Sequence, residues 1–60
     1  MYSAYYLDPT HGWIATHRLP LDSAIYYCKQ YRRQHYNAPV AVVPDHADPA
    51  PYLVLAETVA

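Results

Sequence analysis

The side chains able to do chemistry in this chain are four histidines, one cysteine, two serines and five carboxylates. The histidines His11, His17, His35 and His46 raise the question of metal binding. Zinc needs ligands about 2.0–2.3 Å from one point, usually delivered by tight pairs such as two histidines at i and i+4 on a helix. No such pair occurs here. Asp45-His46-Ala47-Asp48 is one short cluster between prolines, whose aspartates equally suit turn geometry. No metal or other cofactor is therefore expected.

Cys28 would act as a nucleophile only with a base in hydrogen-bond reach. His35 shares its helical face, but seven residues at 1.5 Å rise place it about 10 Å along the axis. A small buried thiol is the simpler reading. Ser3 and Ser23 lie in no nucleophile-elbow sequence, and a single glycine, Gly12, rules out glycine-rich phosphate loops. No carboxylate pair is placed for glycosidase-type work. The chain is not expected to be an enzyme.

The most pointed polar segment is Lys29-Gln30-Tyr31-Arg32-Arg33-Gln34-His35-Tyr36, which holds three of the four basic residues. Its arginines and aromatic rings could contact phosphates and bases. They could equally anchor a protein interface, where arginine and tyrosine are enriched. A third reading is that cations at a helix end merely complement its negative pole.

The elements that must position these residues follow from turn chemistry and periodicity. Tyr2 to Leu7 reads as a strand. Asp8-Pro9-Thr10-His11-Gly12 reads as a turn, with Asp at the first position, Pro fixing φ and Gly closing the loop. Trp13 to Arg18 completes a hairpin. Pro20 and Asp22 suit the start of a helix running from Leu21 to His35. Leu21, Ala24, Ile25, Cys28, Tyr31 and His35 recur on one face, with Tyr26, Lys29, Gln30 and Arg33 opposite. Asn37 and Pro39 mark its end. Val40 to Val43 reads as a third strand and Tyr52 to Ala56 as a fourth, joined by a proline-rich loop.

The expected fold is one α+β domain spanning residues 1–60: a β-β-α-β-β chain forming a four-stranded, mostly antiparallel sheet with one helix packed on one face. The strands do not alternate cleanly. Leu53 and Leu55 oppose Tyr52 and Val54, Val40 and Val42 oppose Ala41 and Val43, and Tyr2 and Tyr6 oppose Tyr5 and Leu7. One helix covers one face, so an apolar patch should remain open for association.

Composition agrees. Sixty residues bury a small core, and with one cysteine a disulfide cannot reinforce it. A homodimer is the natural remedy. Eight tyrosines and one tryptophan suit surfaces that are dry in one state and wet in another. A net charge of −1 lacks the strong footprint of a general nucleic-acid binder. A lone thiol, no secretory leader and no long apolar run point to a cytoplasmic protein without a membrane span. The function expected is a small protein-binding module that occupies or inhibits a partner protein, of the inhibitor, antitoxin or phage anti-defence type. Trp13, Tyr26, Lys29, Tyr31, Arg32, Arg33 and Tyr36 are the candidate partner-binding residues. The alternative is a nucleic-acid-binding regulator using the basic, aromatic end of the helix.

Overall fold

A computed structural model of the chain describes residues 1–35 and 37–59. Its elements are β1 (Tyr2–Asp8), β2 (Gly12–Leu19), α1 (Leu21–Gln34), β3 (Val40–Pro44) and α2 (Ala50–Val59). The three strands form one sheet in the order β2-β1-β3. Both outer strands are antiparallel to β1. Helix α1 carries the chain across β1 from one edge of the sheet to the other.

The hairpin forms as its turn residues dictate. The Asp8 carboxylate accepts the backbone N–H groups of Thr10 at 2.7 Å and His11 at 3.0 Å. Those two bonds hold the Asp8 carboxyl below its ordinary range. Gly12 sits at φ 80°, and a Cβ there would meet nothing within 4 Å. The backbone conformation, rather than lack of space, calls for glycine.

Helix α1 starts after Pro20, whose carbonyl accepts the N–H of Ala24 at 2.9 Å, and carries Asp22 in its first turn. It ends one residue earlier than expected, with His35 as the cap. Asn37, at φ 60°, donates its N–H to the carbonyl of Arg32 at 3.0 Å. A left-handed asparagine is a common way to close a helix end.

The core lies between α1 and one sheet face. Its centre is Ala4, Ala24 and Cys28, ringed by Tyr2, Leu19, Tyr31, Val40 and Val42. Ile25 and Leu21 were expected in that packed face but are exposed. The seam instead follows Ala24, Cys28, Tyr31 and His35, a stripe at i, i+4, i+7 and i+11.

The fold differs from the expected β-β-α-β-β order in its last element. The four-stranded sheet with a single helix is corrected to a three-stranded antiparallel sheet with two helices, because Tyr52 to Ala56 belongs to α2. A short apolar run such as Tyr52-Leu53-Val54-Leu55 fits a strand or a helix equally by periodicity. What decides it is the flanking sequence. Asp48 Oδ1 accepts the otherwise orphaned N–H of Ala50 at 3.1 Å, and Pro49 offers its carbonyl to Leu53. Pro51 stands in the first turn, where its missing N–H is not needed. Ala50, Leu53, Leu55, Ala56 and Glu57 are strong helix formers.

Among the described elements helix α2 packs against β3 alone, burying Ala56 and half-burying Leu53. Among the described residues no helix is long and apolar enough to cross a membrane. Replacing Asp48 by Ala should cost α2 about 1 kcal/mol, seen as a fall in helical backbone chemical shifts over 50–59. A strand-like shift pattern there in the wild type would contradict the assignment.

Candidate functional site

Four constellations merit attention: a polar cluster, the thiol, an aromatic ladder and the outer surfaces of the helices. The polar cluster joins Ser3, His17 and Asp45. The Ser3 hydroxyl donates to Asp45 Oδ1 and lies 2.6 Å from His17 Nδ1. A hydroxyl has one proton, so with that proton on Asp45 the imidazole must present Nδ1–H to the Ser3 oxygen. These are the residue types of a serine nucleophile with its base and orienting acid, but the wiring differs. The carboxylate holds the serine proton directly, and the imidazole is a donor rather than a base at that atom. Ser3 is also buried.

What the cluster does is fix the sheet. The register of β1 with β2 shifts between Tyr2 and Ala4, so His17 and Arg18 together oppose Ser3. Arg18 takes φ 61°, a conformation that costs a non-glycine residue roughly 1 kcal/mol or more. Asp45 Oδ2 accepts the Arg18 N–H at 3.1 Å, and the Asp45 N–H donates to the Met1 carbonyl at 3.0 Å. One aspartate thus ties the bulge in β2 to the start of β1 and the end of β3. The Ser3 hydroxyl, assisted by Arg18, the amino terminus and His17, holds the Asp45 carboxyl below its ordinary range.

Cys28 is buried against the sheet, with its thiol 3.5 Å from the Ala41 carbonyl. Burial pushes the Cys28 thiol up, which favours the neutral form. The histidines lie apart: His11 at the hairpin tip, His17 on the bulge, His35 stacked on Tyr6 at 4.5 Å, and His46 exposed after β3. Among the described residues no three metal-ligating side chains gather.

The aromatic ladder climbs from the sheet over α1. Tyr6 stacks on His35 and lies 4.4 Å from Tyr31, which stacks on Tyr27 at 6.3 Å, with Tyr26 beside it. The Tyr31 hydroxyl bonds Thr16 Oγ1 at 2.8 Å. Tyr31, a candidate partner-binding residue, is therefore half-buried and engaged within the fold.

The remaining candidates divide by location. Trp13 pairs with Leu7 across the hairpin, on the sheet face opposite α1, and packs edge-on against Tyr5. It does not join the helix residues. Tyr26, Lys29, Arg32 and Arg33 are all exposed on α1. Lys29, Arg32, Arg33 and Asn37 border one shallow depression. The sole ion pair among the described residues is His11 with Asp8, so these cations have no carboxylate partner there. Tyr36 lies outside the described residues.

The sequence reading placed the open apolar surface on the sheet. The sheet face away from α1 does carry Tyr5, Leu7, Trp13 and Ala15, but each is half-buried. Apart from Met1, the exposed large apolar side chains lie on the helices: Leu21, Ile25, Tyr26 and Tyr27 on α1, and Tyr52, Val54, Leu55 and Val59 on α2. Val54, Leu55 and Val59 are 62%, 64% and 75% exposed. Sequence reasoning missed this surface because it assigned the segment to a strand. The helix-start signals at Asp48, Pro49 and Pro51 were the available clue.

Two predictions follow the chemistry. Asp45 has a folded pKa below its unfolded value, so its contribution is present above the unfolded value near ~4 and disappears as pH falls through the folded one. Asp45→Ala should lower the melting temperature at pH 7, and its difference from wild type should shrink in acid. Cys28 should react with a disulfide reagent roughly tenfold or more slowly in the native protein than after denaturation; equal rates would show an accessible thiol.

No protein family, curated protein or solved structure matches this chain.

Proposed function

We propose that this chain is a non-enzymatic protein-binding module that acts by occupying a partner protein. The observation that carries the reading is the exposure of Tyr52, Leu55 and Val59 along one stripe of α2, at i, i+3 and i+7, on a helix that among the described elements packs on β3 only. Contiguous apolar surface of this kind favours association over solvation. A tyrosine among aliphatic side chains adds the amphipathic contact area that interfaces favour. The wiring of Ser3, His17 and Asp45, and the burial of Cys28, give no support to a nucleophilic reaction. The chain's free thiol accords with work in the reducing cytoplasm.

A nucleic-acid reading draws on Lys29, Arg32 and Arg33, which lack carboxylate partners among the described residues. It is weaker, because the Tyr31 hydroxyl is engaged within the fold by Thr16 rather than free to stack on a base. Three cations also make a small phosphate footprint.

The test is a comparison of captures from host lysate by wild type and by Leu55→Glu, with and without nuclease. A protein retained by wild type in both conditions and lost with Leu55→Glu would support the module. Capture that vanishes with nuclease and is indifferent to Leu55→Glu would overturn it in favour of nucleic acid.

A further inference from the structure

The outer face of α1 carries a pattern that complements itself. Asp22, Ile25, Tyr26, Lys29 and Arg33 fall at i, i+3, i+4, i+7 and i+11, and all five are exposed. That spacing makes one stripe along a helix. The stripe is acidic at its start, apolar in the middle and basic at its end. The Ala24-Cys28-Tyr31-His35 seam faces the sheet, so this stripe points away from the core.

A two-fold interface requires that a surface match itself reversed: residue i meets j, and j meets i. The stripe meets that condition. With two α1 helices antiparallel about an axis near Tyr26, Asp22 of each copy lies within one turn of Lys29 and Arg33 of the other. Ile25 and Tyr26 of the two copies then cover each other at the centre. The arrangement also sets the helix dipoles antiparallel, each negative end beside the other's positive end. Running the helices parallel would instead bring like charges together at both ends.

We infer that a second copy of this chain docks on the outer face of α1, antiparallel, with Ile25 and Tyr26 at the dimer axis and Asp22 paired to Lys29 and Arg33 of the partner copy. The inference rests on the protein-binding reading and assigns α1 to self-association, leaving the apolar face of α2 for the partner protein. Charge complementarity within the stripe is what selects a second copy. A foreign acidic partner would match its basic end alone, and Asp22 would oppose it.

The contact is a single helix face about 21 Å long, at the small end of stable interfaces, so association should be reversible and salt-sensitive. Sedimentation equilibrium up to about 1 mM at low salt should show the wild type approaching twice the 6.9 kDa chain mass. Asp22→Lys should stay monomeric, and so should the double variant Lys29→Asp with Arg33→Asp. Each of these stripes carries one sign of charge. Mixed together, the two variants should form a heterodimer, because each of the two reciprocal contacts then joins opposite charges. Restored association also shows that both variants are folded. A wild type that stays monomeric at the highest concentration overturns the inference, as does self-association of either variant undiminished from wild type. Association abolished by Leu55→Glu but untouched by the charge reversals would move the interface to α2 and overturn it equally. Loss of lysate capture with Leu55→Glu tests the protein-binding reading and the charge reversals on α1 test self-association, so the two readings fail separately.

Discussion

The contact of α1 with β1 through Ala4, Ala24 and Cys28 governs the rest of this molecule. Three small side chains at the seam let the helix approach the sheet closely, and that closeness leaves no room for a large one. The largest fully buried side chains are Val43 and Ser3. Fully burying a leucine, isoleucine or phenylalanine is worth about 1.5–3 kcal/mol, and no leucine, isoleucine, tyrosine or tryptophan among the described residues is in the buried class. The tyrosines are displaced to the rim, where Tyr6 stacks on His35, Tyr31 lies against Tyr6 and Tyr27, and the Tyr31 hydroxyl bonds Thr16.

A core this thin leaves two demands. The sheet needs support that apolar packing does not provide, and the cluster on Asp45 offers it with hydrogen bonds from Ser3 and the Arg18 backbone. That cluster also accommodates an arginine at a positive φ, a conformation more at home with glycine. The second demand is cover for the apolar side chains that the core excludes, and it links the fold to the proposed function. On this reading, association through the helix surfaces completes the burial that one chain cannot achieve.

Local structure was legible where one residue type has one physical reason to be present. Asp8, Pro9 and Gly12 announced the hairpin, and Asn37 the end of α1. Tyr52 to Ala56 was not legible, because five apolar residues carry no decisive period; the answer lay in the cap at Asp48. The error had a consequence for the site. An imagined fourth strand put the apolar surface on the sheet, whereas α2 carries it into solvent. The Ser3-His17-Asp45 cluster spans 42 positions in sequence and depends on a bulge that no local pattern announces. Among the binding candidates, exposure separates Tyr26 from Tyr31, although both lie on the same helix and both are tyrosines.

The claim that association completes a deficient core is tested most directly by thermal unfolding over about a hundredfold range of protein concentration. Binding restricted to the native state raises stability by mass action. A melting temperature that climbs with concentration is expected, and the climb should diminish when salt screens the charged ends of the α1 stripe. A melting temperature independent of concentration would mean that the single chain is sufficient, and would contradict the claim.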